Sequence, residues 1–259
     1  MFGAMIGDII GSIYEWNNIK TTDFPLFQTN CTFTDDTVLT AATALALMTG
    51  TGYAQAYQDF SRRYPGRGYG GIFSRWIFTD DPKPYNSWGN GSAMRVSPVG
   101  FAFDTVEDVL AEAERSAAVT HNHLEGIKGA QSTALAILLA RQGQTKSEIR
   151  EEISTRFGYD LARTLDEIRP GYTFDVSCQG SVPEAIIAFL ESESYEDAIR
   201  KAISLGGDSD TIACITGGIA EAFCGGVTDK IAKEGKKFLP EEFLTIDEKF
   251  EKLFGDNKV

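Results

Sequence analysis

The chain has only two histidines, no pair of cysteines at CxxC spacing, and no run near the ~18 apolar residues of a membrane-spanning helix. The four cysteines, Cys31, Cys178, Cys214 and Cys224, are scattered, as expected of a reduced chain rather than a disulfide framework. His121 and His123 have no further nitrogen or sulfur ligands near them in sequence, so the pair is not read as a metal site; ligand hydrogen bonding or helix capping suits both. Positive charge is also scarce. Against 37 Asp and Glu stand 24 Lys and Arg, a formal net charge of −13. That balance argues against duplex nucleic acid or an anionic membrane as the main partner, while leaving room for an anionic small ligand in a local pocket. The opening MFGAMIGDIIGSIYEW lacks a basic leader and is interrupted by Asp8, so no signal peptide is read and a cytoplasmic protein is expected. Period-two strand patterns are nearly missing, residues 172–176 being the best of them.

What the chain does have is helical punctuation. Met5, Ile6, Ile9, Ile10 and Ile13 recur at helical spacing over residues 2–16, with Gly3, Gly7 and Gly11 on one stripe that admits close approach of a helix or a ligand. Thr105–Asp108, Thr145–Glu148, Ser181–Glu184 and Ser194–Asp197 each resemble a capping box. They predict helices near 105–118, 123–142, 146–157, 182–192 and 195–204, with Pro183 in a first turn. A last helix near 241–254 places Phe243, Phe250, Leu253 and Phe254 on one face. The expectation is an all-α protein of roughly a dozen helices, a single domain over residues 1–259, with monomer as the default state. Residues 64–91 stand apart, with six glycines, three prolines and seven aromatics. Such an excursion within a compact domain reads as a binding loop, and its aromatics argue against disorder.

Two stretches share an unusual signature. Thr34-Asp35-Asp36-Thr37 and Gly206-Gly207-Asp208-Ser209-Asp210-Thr211 each open an apolar helical run with paired aspartates and a threonine. Taken singly, each is an ordinary solvated helix start, where acidic residues are favoured. Taken together, they point to one site built from two ends of the fold. If the four carboxylates converge at ~5 Å in an effective dielectric of ~20, each pair repels by about 3 kcal/mol. Six pairs sum to on the order of 20 kcal/mol, more than the ~5–15 kcal/mol that holds a domain folded. Convergence therefore requires protonation, basic partners or cations. Two divalent ions would balance the charge, and the Thr34 and Thr211 hydroxyls would complete an all-oxygen shell suited to Mg²⁺, Mn²⁺ or Ca²⁺ rather than zinc.

The remaining polar clusters are less specific. Glu15 is either a catalytic carboxylate or a surface residue at a helix end, and Asp8 could cap, pair or act. Ser87-Trp88-Gly89-Asn90-Gly91, running on to Arg95, has the look of a backbone N–H cradle for phosphate, although a structural turn has the same composition.

Five motifs in order, GDIIGSIYE (7–15), FTDDT (33–37), SWGNGSAMRVSP (87–98), THNH (120–123) and GGDSDT (206–211), resemble those of the ADP-ribosylglycohydrolases. The resemblance runs from residue 3 to about 226 and implies an all-α fold with a binuclear magnesium centre, Mn²⁺ being a possible substitute. By motif it implies Thr34, Asp35, Asp36, Asp208, Asp210 and Thr211 as metal ligands. It implies Glu15 or Asp35 as the proton-handling carboxylate, and Ser87, Trp88, Gly89, Asn90, Gly91 and His121 as contacts to ADP-ribose, with Trp88 as the adenine platform. The implied activity is hydrolysis of the bond between the distal ribose of ADP-ribose and a protein or small-molecule acceptor. Two other classes compete: a family member that binds ADP-ribose without cleaving it or serves structurally, and a metal-dependent phosphohydrolase or isoprenoid-type enzyme. Against the last, no His-Asp dipeptide occurs and Leu39 breaks the DDxxD pattern.

Overall fold

A computed structural model describes residues 1–255; the last four residues of the expected 1–259 domain lie outside it. Among the described residues the secondary structure is helical, without a strand; one isolated bridge pairs Gly89 with Ser177. Residues 172–176 are therefore not a strand. The first half of the chain contributes α1 (Phe2–Gly11), α2 (Asp35–Thr49), α3 (Tyr53–Arg63), α4 (Gly71–Trp76), α5 (Gly91–Met94), α6 (Ser97–Ala102) and α7 (Val106–Ala118). It is followed by α8 (Leu124–Arg141), α9 (Lys146–Phe157), α10 (Leu165–Ile168) and α11 (Cys178–Glu191). The chain closes with α12 (Tyr195–Ile203), α13 (Ser209–Cys224), α14 (Asp229–Gly235) and α15 (Glu241–Phe254). None of these helices is long and apolar enough to cross a membrane.

At the centre, α1 packs along α13, and every residue of α1 is buried. The glycine stripe explains how. A Cβ on Gly7 would stand 2.1 Å from the Ala213 carbonyl oxygen, and one on Gly3 would stand 2.7 Å from the Gly217 oxygen. On Gly11 it would meet the Asp210 Cα at 2.5 Å. Only hydrogen fits in these places, so the two backbones approach to a distance that any side chain would prevent. The neighbour admitted by the stripe is a helix, and it carries one of the two aspartate motifs.

Side-chain caps set seven of the fifteen described α-helix starts, though not always where the sequence places them. Thr145 and Glu148 form a complete capping box, as do Thr164 and Glu167, which open the short α10. Thr105 and Ser194 accept from the amides of Asp108 and Asp197, but neither box closes: the Asp108 carboxylate accepts from the Thr105 hydroxyl instead of its amide, and that of Asp197 from the Glu193 amide. The expected box at Ser181 is absent. Helix α11 begins earlier, with Ser177 as its cap, and the Ser181 hydroxyl donates to the Ser177 carbonyl at 2.7 Å. Pro183 consequently lies inside the helix and forgoes one backbone bond there. The first helix is shorter than its apolar spacing suggests, ending at Gly11 and leaving Glu15 in a turn rather than at a helix end. On α15 the inward face is Phe243, Ile246 and Phe250, whereas Leu253 is 60% exposed because the final turn projects past the core.

Candidate functional site

The two aspartate motifs meet. Thr34 caps α2, its side-chain oxygen accepting from the Asp36 amide at 3.4 Å, which holds Asp35 and Asp36 in the first turn. Gly206 and Gly207, with φ of 71° and 73°, form a left-handed turn that leads into α13 and aims Asp208 and Asp210 at the same place. Asp8, on the buried face of α1, ties the two sides together. Its carboxylate accepts from the Thr34 amide at 2.9 Å, the Thr34 hydroxyl at 2.7 Å and the Thr37 amide at 3.1 Å, and also from the Thr37 hydroxyl. It thus caps the N-terminus of another helix, where free amides and the helix dipole favour an anion. The sequence left its role open; the signal was an aspartate in the middle of a glycine-striped, otherwise apolar helix.

Carboxylate oxygens of Asp8, Asp36 and Asp210 lie within 4.8 Å of one another, and so do those of Glu15, Asp208 and Asp210. Asp210 belongs to both triads. The Asp36 Oδ2 atom faces the Thr34 hydroxyl at 3.2 Å and the Thr211 hydroxyl at 3.4 Å, while its Oδ1 is buried with no hydrogen-bond partner. Thr34 has a single hydroxyl proton for both Asp8 and Asp36, so the centre is short of positive partners. Asp35 projects toward the loop, its Oδ1 3.1 Å from where a Cβ on Gly68 would sit, and stands outside both triads.

The electrostatic consequence is uniform in sign. Burial, followed by repulsion from Asp8, raises the carboxyls of Asp35 and Asp36 well above the usual range, and burial with Asp208 does the same to Asp210. Burial raises Asp8 to about 6 in spite of its four hydrogen bonds. Glu15, half-buried, is raised to about 7 by burial and then by Asp208. No basic side chain is among the causes for any of these five groups. Asp208 is also raised by burial, opposed first by the Asn90 amide, which donates to its Oδ2 at 2.7 Å.

These acids form one wall of a cavity of about 320 Å³, which Glu15, Asp35, Asp36, Asp208, Asp210 and Thr211 line together with the opposite wall. That opposite wall is the expected cradle, with Ser87, Gly89, Asn90, Gly91, Arg95 and His121, and the lining also includes the aromatic rings of Phe73, Tyr85 and Phe174 and the apolar side chains of Leu39, Ile72, Met94 and Val176. Two amides of the cradle are not free: Gly89 N–H donates to Ser87 Oγ at 3.1 Å and Asn90 N–H to the Val176 carbonyl at 2.8 Å. They stiffen the turn instead of pointing at a ligand, a correction to the sequence reading. Trp88 is 53% exposed on the lip, outside the lining, with its ring edge-on to His123 at 5.7 Å. His123 caps α8 by accepting from the Glu125 amide, and His121 alone faces the cavity. The two histidines, two residues apart in sequence, are thus divided between structure and site. Cys31, Cys178 and Cys214 are buried, as small apolar residues would be, and Cys224 is exposed.

A family model described as ADP-ribosylglycohydrolase matches residues 1–233. The chain is 28% identical over 305 residues to ADP-ribosylhydrolase ARH3 of Homo sapiens, covering 86% of this chain and 84% of that protein. It is 27% identical over 303 residues to the ARH3 of Bos taurus, covering 86% and 83%. A solved structure described as an ADP-ribosylglycohydrolase-related protein complex superimposes with a TM-score of 0.72 at 23% identity, covering 97% of this chain and 96% of that one, a likeness of fold. With the match spanning both aspartate motifs, the cradle and the glycine-striped α1, the chain belongs to the ADP-ribosylglycohydrolase family.

Proposed function

We propose that the protein hydrolyses the glycosidic bond between the distal ribose of ADP-ribose and its acceptor, using two divalent cations, magnesium first. The observation that carries this reading is the pair of largely buried acid triads sharing Asp210, without a basic partner among the described residues, on the wall of a ligand-sized cavity. The donor set fits a hard cation: every ligand atom of the two triads is a carboxylate oxygen, and the buried Asp36 Oδ1 lacks any hydrogen-bond partner. Thr34, Asp36, Asp208, Asp210 and Thr211 would hold the ions, with Asp35 joining from the loop side. When bound, the ions would supply positive charge and Lewis acidity beside the anomeric carbon.

The chain's own residues have separable tasks in this reading. Glu15, held up to about 7 by burial and by Asp208, is placed to exchange a proton with water or a leaving group near neutral pH, and a cation at Asp208 would draw its pKa down. Asn90 fixes Asp208 through the 2.7 Å bond and so links the acidic wall to the cradle. Ser87, Gly89, Gly91 and His121 would receive the diphosphate and the distal ribose. A cavity of about 320 Å³ is at the small end for ligand sites, so a nucleotide of this size would extend over the lip, where Trp88 offers an open ring face to adenine.

Incubation with Mg²⁺ and a panel of ADP-ribosylated arginine, serine and small-molecule acceptors tests the reading. Release of free ADP-ribose that stops on chelation is expected. Bound but unchanged ligand would instead favour a binding protein, release of phosphate would favour a phosphohydrolase, and full hydrolysis after exhaustive chelation would remove the cations from the mechanism.

A further inference from the structure

Arg95 is completely buried, yet it has no carboxylate partner among the described residues. Its guanidinium lies over the Tyr57 ring, 4.2 Å from the centroid. Its Nη2 donates to the Ser116 carbonyl at 3.1 Å and to the Thr120 hydroxyl at 2.8 Å. The Thr120 oxygen is in turn 2.7 Å from His121 Nδ1. We propose that Arg95 and Thr120 are positioning residues that lock His121 in its Nε2–H tautomer and so present a hydrogen-bond donor to an acceptor oxygen of the bound nucleotide.

Proton accounting and the Arg95 charge together set the direction of the relay. A guanidinium can only donate, so one lone pair of the Thr120 oxygen is taken by Arg95. The hydroxyl keeps its own proton, which it can offer to an unprotonated His121 Nδ1 at 2.7 Å. Electrostatics point the same way. With Nδ1 unprotonated, the negative end of the imidazole dipole faces the Arg95 cation, whereas an Nδ1–H would put positive against positive. Donation by a cation into the hydroxyl strengthens the next bond in the chain. Burial, and secondarily Arg95, lowers the His121 pKa well below its usual value, which keeps the ring neutral.

The far nitrogen has room to act. Nε2 lies 3.1 Å from where a Cβ on Gly91 would be and 3.5 Å from one on Gly89, and His121 lines the cavity. Glycine at both positions leaves the space before Nε2 clear. What is presented there is a neutral donor beside a buried cation, a combination that accepts oxygen from a phosphate or ribose and excludes a competing donor. The inference rests on the ADP-ribose reading of the cavity only for the identity of that oxygen.

With two histidines in the chain, long-range ¹H–¹⁵N correlation on the full-length protein resolves both, and His123→Gln assigns them. His121 Nδ1 should resonate as an unprotonated nitrogen and Nε2 as a protonated one, without titrating between about pH 5.5 and 8. Thr120→Val, isosteric but unable to donate, should shift the ring to a mixture of tautomers and weaken ADP-ribose binding about tenfold, the worth of one hydrogen bond. Thr120→Ser should restore both. A dominant Nδ1–H form in the wild-type protein, or an unchanged tautomer in Thr120→Val, would overturn the proposal. The wild-type measurement stands even if the valine variant fails to fold. The Nε2–H tautomer in a protein that does not bind ADP-ribose would uphold the relay and sink the nucleotide reading instead.

Discussion

The two walls of the cavity carry opposite unpaired charge. On one side, the five carboxylates that line the cavity and Asp8 behind them have threonine hydroxyls, amides and one asparagine for company, but no basic side chain among the described residues. On the other, Arg95 is buried without a carboxylate partner among the described residues, and its neighbour His121 is held neutral. A folded protein rarely leaves both signs unsatisfied so close together, since pairing them would relieve both. On the proposed function each wall would be completed from outside: cations on the acidic side, acceptor oxygens on the basic side. A metal complex of a nucleotide diphosphate sugar supplies both at once.

The contrast is broken most severely by Asp210→Ala, because Asp210 belongs to both triads. Calorimetry with Mg²⁺ or Mn²⁺ should show loss of binding, and release of ADP-ribose should fall by about a thousandfold or more, a barrier change of about 4 kcal/mol. In chelator the variant should melt no lower than the wild type, since one buried repulsive charge is gone. Unchanged metal affinity would mean that the triads are not the metal site.

Next in size is Gly7→Ala. The added methyl meets the Ala213 carbonyl at 2.1 Å, so α1 and α13 must separate, at a cost of ~1–3 kcal/mol or more in urea unfolding. Because α1 carries Asp8 and α13 carries Asp210, metal affinity should fall with stability. Loss of stability alone would show that the acidic wall tolerates displacement.

A third test uses pH. Asp8 at about 6 and Glu15 at about 7 lie above their unfolded values near 4, so the folded state binds more protons and these groups penalise folding at high pH. In chelator, the melting temperature should therefore rise as pH falls from about 8 through 7 and 6 toward 5. Saturating Mg²⁺ should flatten that trend, because cations replace protons as the source of relief. A chelated protein that is most stable at pH 8 would contradict the charge assignment.

The smallest effect is expected at the rim. Trp88→Ala should weaken ADP-ribose about fivefold to tenfold, the value of one aromatic stacking contact, and leave metal affinity unchanged. A change in metal affinity would mean that the two walls are coupled more closely than the Asn90–Asp208 bond alone suggests.

Much of this was legible in advance, for local reasons. The aspartate motifs could be read because helix starts have their own chemistry: Thr34 caps α2, and the Gly206-Gly207 turn delivers Asp208 to the start of α13. The Thr145 box and the inward face of α15 at Phe243 and Phe250 follow from spacing alone. The misreadings share a cause. Ser181 satisfies a capping pattern but is overruled because Ser177 opens α11 earlier, and Leu253 satisfies a helical face that outruns the core. In both, a local rule was met and something outside it decided: a competing cap four residues upstream for Ser181, the reach of the core for Leu253.

What the sequence by itself determined was the all-helical class, the two acid-bearing helix starts and the need for cations if they met, since charge repulsion depends only on residue type and proximity. Tertiary structure decided that they do meet, through a glycine stripe that lets α1 lie against α13. It also gave Asp8 its place under α2 and set His121 before the cavity while His123 caps a helix. Those outcomes depend on which backbones approach closely and which buried groups find partners, and both are properties of the packed molecule rather than of any stretch of chain.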